Sequence, residues 1–323
     1  MTKLKTEKSK VDRSWNTYWQ GTGDVGAFNS GGASHPAIQE FWENFFSIAG
    51  QSYEEPKLID IASGNGAVVE CALRNLDNEK SDITTLDVSA AAIENIHKRF
   101  PTVHGIVSDA QTIPRQDGSF NLVTSQFGVE YAGHDAMLEC ARLVSEGGTL
   151  AFLLHYASGS IHQECNQSLD AIKRLQESQF IPLAIKMFDA GFKAVRGAAR
   201  STYENAAKNL APAITELEAI MKKHGQHVAG DTLLKLYSDV GQIHQRIQHY
   251  QPDEVISWLN KMNDELKAYR ARMSSMCFSA IDDTGFEQIK SDLQKHEFSI
   301  ESAEPLVVSE HKQPMAWILV ARK

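Results

Sequence analysis

Between Lys57 and Leu154 short apolar runs alternate with stretches of helical length, and nothing else in the chain constrains its fold as much. KLIDIA, DITTLDV, VHGIVSDA, FNLVTSQ and TLAFLLHY read as five strands. AVVECALRNL, AAAIENIHKRF and AMLECARLV read as the helices between them, the second with a stripe at Ile93, Ile96 and Phe100 and a stop at Pro101. Gly147 and Gly148 are expected to close the third. Such alternation implies a parallel sheet covered by helices on both faces. In sheets of this kind ligands sit beyond the carboxyl ends of the strands. The informative residues are therefore Asp60 to Gly66, Asp87, Asp109 with Ala110, Gln126-Phe127-Gly128, and His155-Tyr156.

The first of these turns, LIDIASGNGAVVE, places two glycines where backbone can approach a ligand closely. A dinucleotide fingerprint wants a third glycine where Val69 stands, and a phosphate loop wants a lysine followed by Ser or Thr, which is missing. What remains is Asp60-Ile-Ala-Ser-Gly64-Asn-Gly66, then Asp87 ending the second strand, then Asp109-Ala110 ending the third. This combination resembles the class I S-adenosylmethionine-dependent methyltransferases, whose first motif is commonly D-x-G-x-G-x-G. Ala62 replaces the first glycine, and an alanine there allows close approach at negative φ. The resemblance implies S-adenosylmethionine as cofactor, with Ser63, Gly64 and Gly66 passing its methionine part. It also implies Asp87 on the ribose hydroxyls with Val88 beside it, and Asp109 and the Ala110 N–H on the adenine. Asp60 organises the loop or reaches the ammonium group through water, and Gln126 and Phe127 complete the pocket. Each of these acids by itself has a competing, less favoured reading as a turn or cap residue, and three at successive strand ends weaken that reading further.

The run SQFGVEY after strand four is similar to the quinone-ring C-methyltransferases, and the N/D-P-P-Y/F tetrapeptide of amide-nitrogen methylation is missing. TGFEQIKSDLQKHEF, FSIESAEPLVV and PMAWILVARK supply a helix and two more strands. The resemblance places the last strand antiparallel between the fifth and sixth. The expected fold is therefore α/β, a Rossmann-like doubly wound sheet of seven strands with an all-helical insertion after strand five. Methyl transfer needs alignment and exclusion of water more than a side-chain nucleophile. If the acceptor must lose a proton, His155 and Tyr156 are the candidates, with Glu130 and Tyr131 as second choice. A strand-end role without catalysis is the competing reading of His155.

Four segments follow: 1–50 (tail, aromatic helix and lid), 51–159 (cofactor-binding core), 160–280 (helical insertion) and 281–323 (completion of the sheet). In the first, MTKLKTEKSKVDRSW reads as a short disordered tail and not a secretory signal, since no apolar segment follows its charges. Trp15, Tyr18 and Trp19 share one helical face before a glycine-rich loop, either stapled to the sheet or forming a lid over the cofactor. PAIQEFWENFFSI forms an amphipathic helix. The insertion has stripes at Leu233, Leu236, Val240, Ile243 and Ile247, and from Val255 to Tyr269. It roofs the site or makes a homodimer. It carries fifteen Lys or Arg against thirteen Asp or Glu, which with the overall charge of −9 disfavours nucleic acid. His224, His227, His244 and His249 lack partners at metal-ligand spacing, so no metal is expected. The four scattered cysteines read as reduced thiols of a cytoplasmic protein, and no apolar run is long enough for a membrane span. A small-molecule methyltransferase is the leading expectation. A non-catalytic scaffold gripping a partner through the insertion is the alternative.

Overall fold

The computed structural model describes residues 15, 16, 18, 19, 35–309 and 313–323. Residues 1–14 of the expected tail and the glycine-rich loop after Trp19 lie outside the described residues, whereas Trp15, the last residue of that tail, is helical. The chain forms two compact units, Met1–Gln163 with Ser275–Lys323, and Glu164–Ser274.

The first unit is built on a sheet of seven described strands in the order β3-β2-β1-β4-β5-β7-β6. These are β1 (Lys57–Ile61), β2 (Asp82–Asp87), β3 (His104–Val107), β4 (Phe120–Gln126), β5 (Val144–His155), β6 (Ser299–Leu306) and β7 (Ala316–Arg322). The first five pair in parallel, and β7 runs antiparallel to both β5 and β6. The topological switch falls between β1 and β4, whose carboxyl ends open the crevice in which such sheets bind ligands.

The helices follow from the same chemistry. In α1 (Pro36–Ser52) the His35 ring accepts from the Ala37 N–H, Pro36 takes the first-turn position where its missing N–H is harmless, and Ile38, Trp42, Phe46 and Ala49 form the buried stripe. The helix α2 (Ala67–Asn75) starts at Gly66, and α3 (Ala90–Arg99) is capped by Ser89, whose hydroxyl accepts from the Ala92 N–H. After β4 come a single turn, α4 (Val129–Ala132), and α5 (His134–Leu143). The helix α5 does not run on to the glycine pair: it stops at Leu143, and Gly147 and Gly148 lie inside β5. There they absorb an irregularity in pairing, since Phe120 faces Val144 while Leu122 already faces Thr149.

Alternation along β5 divides the sheet's two faces. Leu150, Phe152 and Leu154 enter the core shared with Phe286, Ile289 and Trp317, under α11 (Asp283–Lys295), whereas His155 points the other way.

The second unit is helical throughout, with the C-terminal part of α6 (Ser160–Glu177), α7 (Phe180–Val195), α8 (Arg200–His224), α9 (Thr232–Gln245), a 3-10 turn over Ile247–His249, and most of α10 (Pro252–Ser279). Its core joins Phe180, Phe188, Leu217, Leu233, Leu236 and Leu259. No helix among the described residues is long and apolar enough to cross a membrane.

Candidate functional site

At the end of β1 the chain turns sharply, and its hydrogen bonds show how. The Ser63 N–H donates to the Leu86 carbonyl (3.1 Å) and its hydroxyl to the Asp60 carbonyl (2.7 Å), tying the loop to β2. Gly64 and Gly66 are left-handed, with φ of 53° and 82°. The Gly64 N–H donates to Asp87 Oδ2 (2.9 Å), and the Ser89 N–H to Asp87 Oδ1 (2.8 Å). Asp87 thus grips both the glycine loop and the start of α3 while buried at the sheet's end. The Val88 N–H also pulls on this carboxylate, whose two oxygens together offer about four lone-pair positions and so keep capacity for a further bond.

Asp60 lies beside it, almost fully buried, and accepts from the Thr124 hydroxyl (2.8 Å). Burial pushes its carboxyl up to about 7, opposed by the Thr124 and Ser63 hydrogen bonds and assisted by the Asp87 charge. Burial also raises Asp87, against the pull of the Ser89, Gly64 and Val88 N–H groups.

Ala62 is also left-handed, at φ 55°, which corrects the expectation of a negative φ. Its side chain lies against Gly128: a Cβ added at Gly128 would stand 2.5 Å from that of Ala62. An alanine in this region is strained by about 1 kcal/mol relative to glycine. Ala62→Gly is accordingly expected to stabilise the protein by about 0.5–1 kcal/mol, visible as a small rise in melting temperature; a fall would show that the methyl's packing outweighs the strain.

The remaining sequence candidates divide. Asp109 is half-buried and accepts from the Gln111 N–H (3.0 Å), Ala110 is buried in the core, and Val88 is exposed. Gln126 accepts from the Trp42 indole N–H, and Phe127 is held at φ 53° with its N–H on the Leu153 carbonyl. Trp19 lies directly over the loop, where a Cβ at Gly64 would meet its ring at 2.7 Å, and Tyr18 packs edge-on against it. Asn16 and the Trp19 carbonyl bond to Ser89, Ala91 and Asn95 of α3 and its cap.

His155 and Tyr156 are not brought together. Tyr156 packs its ring on Trp317 and bonds to Asp283 (3.4 Å) on the opposite face. His155 is instead joined to Glu130: ring Nδ1 and Glu130 Oε1 are 2.6 Å apart, and the same oxygen accepts the His155 backbone N–H (3.0 Å). Both side chains are fully buried. Around them stand Phe127, its ring 4.5 Å from that of His155, and Tyr131, edge-on to both His155 and Trp15. Sequence reasoning misses this pairing, which joins residues from two different elements.

With the glycine loop and strand-end carboxylates in place, comparison with known proteins decides the family. A model described as "Methyltransferase domain" matches residues 59–152. Residues 59–152 are a class I methyltransferase domain. A demethylmenaquinone methyltransferase of Thermotoga maritima is 33% identical over 99 residues, 30% of this chain and 42% of the relative. A malonyl-[acyl-carrier protein] O-methyltransferase of Salmonella typhimurium is 30% identical over 105 residues, 32% of this chain and 41% of the relative. An uncharacterised methyltransferase of Schizosaccharomyces pombe is 25% identical over 138 residues, 42% of this chain and 52% of the relative. The chain thus spans about half or less of each of these relatives. The matched family model stops near the end of β5, so the helical unit has no counterpart in it.

Proposed function

We propose that the chain transfers a methyl group from S-adenosylmethionine to a small-molecule acceptor. The observation that carries this reading is Asp87: a buried carboxylate at the end of β2 that also holds the left-handed Gly64. The residues fit the cofactor. Gly64 and Gly66 hold the loop in the left-handed turn, with Trp19 and Ile96 standing where their Cβ atoms would point, so the loop's backbone and the Trp19 ring would together bound the methionine part. Asp87 has acceptor capacity left for the ribose diol, and Asp109 and the Ala110 N–H are suited to the adenine. Asp60, buried with no cation beside it among the groups that shift it, suits a ligand bearing an ammonium group. Trp19 and Tyr18 would form a wall of the same pocket.

The cofactor, when bound, supplies an electrophilic methyl on a positively charged sulfur. The chain's contribution is to align donor and acceptor and to keep water out. The aromatic surroundings of His155 favour an acceptor with an aromatic or lipid-like body, and the relative named for demethylmenaquinone methylation agrees with a small-molecule acceptor.

Calorimetric titration of the full chain with S-adenosylmethionine and S-adenosylhomocysteine tests the reading. Dissociation constants on the order of micromolar are expected, with a rise in melting temperature; at a hundredfold excess over Kd the stabilisation is about 2.7 kcal/mol. Tryptophan fluorescence should change in parallel through Trp19, and Trp19→Phe should remove most of that change. No heat and no thermal shift with either ligand would sink the enzyme reading.

A further inference from the structure

We propose that Glu130 and His155 act as a base pair for the acceptor: His155 Nε2 receives the acceptor's proton, and Glu130 is the positioning residue that sets its tautomer. This rests on the methyltransferase reading above.

The geometry constrains the protons. A separation of 2.6 Å between Nδ1 and Glu130 Oε1 requires a proton between them. An ionised carboxylate only accepts, so the proton belongs to Nδ1 and the basic lone pair is left at Nε2. The His155 backbone N–H, on the same Oε1 at 3.0 Å, fixes the carboxylate relative to the strand. Neither side chain alone has this property; Glu130 comes from α4 and His155 from the end of β5.

A purely structural role fits less well. A buried carboxylate is costly to hold, and structural ion pairs are stable when the remaining lone pairs are satisfied. Glu130 Oε2 is buried and has no hydrogen-bond partner among the described residues. The segment that carries Glu130 also packs against the glycine loop. Gly128, two residues before Glu130, abuts Ala62 of the glycine loop, and Ser125 bridges the two elements by donating to the Ile61 carbonyl (2.8 Å) while accepting from the Val129 N–H (3.1 Å). Glu130 is thereby tied to the same loop that would carry the cofactor. Among the described residues, Glu130 and Tyr131 from α4 contact the His155 ring, and His162 from α6 is held below its ordinary range by burial and by the charge of His155.

The step balances without any further reactant. The acceptor's O–H or C–H gives its proton to Nε2, and the electron pair released forms the bond to the methyl carbon. The old carbon–sulfur bond breaks with its pair left on sulfur, and the imidazolium, stabilised by the Glu130 carboxylate, returns its proton to solvent after product leaves.

The test uses the full chain labelled with 15N-histidine and saturated with S-adenosylhomocysteine, and 2-naphthol as a probe that is neutral in water at pH 8 and whose absorption reports its own ionisation. At pH 8 the His155 ring is expected to be the neutral Nδ1–H tautomer by nitrogen–proton correlation. Adding the probe should protonate Nε2 as the bound naphtholate band appears. Glu130→Gln, which keeps the volume and one acceptor oxygen, should form at least about tenfold less naphtholate at equal occupancy, and Glu130→Asp should restore part of it. A merely structural Glu130 would not move that band in a folded variant. An Nε2–H tautomer, an imidazolium already present at pH 8, or a ring unchanged by the probe would overturn the proposal. Binding of S-adenosylhomocysteine, measured in the same samples, separates the two readings. Its absence counts against the function, whereas its presence with the wrong His155 state counts against the base pair alone.

Discussion

Asp87→Asn is expected to weaken S-adenosylhomocysteine by at least about a hundredfold while the chain stays folded. In the wild type the two carboxylate oxygens serve Gly64 and Ser89 and retain acceptor capacity toward the crevice. Hydrogen bonds to a charged group are worth about 1.5–3 kcal/mol each, so losing a two-point charged contact to a ribose diol removes roughly 3 kcal/mol or more. About 1.4 kcal/mol is tenfold in Kd. The amide also turns a donor toward either Gly64 or Ser89, whose N–H groups need an acceptor, so loop geometry suffers along with the contact. Stability suffers less, because the carboxylate was itself held at a cost: burial raises Asp87, and the neutral amide escapes that penalty. Calorimetry of the variant beside a thermal melt of the unliganded protein checks both halves. An unchanged Kd would place the nucleoside elsewhere than across the ends of β1 and β2.

How much of the molecule is legible in its sequence follows from how local each feature is. The acids at Asp60, Asp87 and Asp109 are visible because a parallel strand leaves a short apolar run with a clear end, and the residue at that end is set by chain order alone. The helical stripe of α9 is visible for the same reason, since Leu233, Leu236, Val240 and Ile243 repeat at helical spacing and are all buried. Its expected last member, Ile247, falls instead in the 3-10 turn. The separation of Tyr156 from His155 is also within reach, because neighbours on a strand face opposite sides. Other features depend on approach in space. The Glu130–His155 pair, the seat of Trp19 over Gly64 and the left-handed backbone of Ala62 against Gly128 each join segments far apart in the chain. No periodicity reports such contacts. The end of α5 is misplaced for a subtler reason: a glycine pair ordinarily ends a helix, but here it serves the uneven pairing of β4 with β5.

Asp60→Asn should make the protein more stable at pH 8 by about 2–4 kcal/mol, and no more stable at pH 4. In the unfolded chain the carboxyl titrates near its ordinary value of 3.8, whereas in the folded protein burial carries it to about 7. Above about pH 7 it is charged in both states, and the folded state bears the whole penalty; each pH unit separating the folded from the unfolded titration corresponds to about 1.4 kcal/mol. Between about 7 and 4 the folded protein holds a proton that the unfolded chain lacks, so wild-type stability rises as pH falls. Below the unfolded value both states are protonated and the penalty is gone. Asparagine keeps an oxygen for the Thr124 hydroxyl and is neutral throughout, so its advantage is largest at high pH and closes through that window. Urea melts of both proteins at pH 8, 6 and 4 measure the gap, and a gap independent of pH would show that the Asp60 charge is not what burial penalises. The same substitution should weaken S-adenosylmethionine, since a neutral amide cannot answer the ligand's ammonium. Greater stability with poorer binding in one variant would mean that the fold tolerates this strained carboxylate because the site requires it.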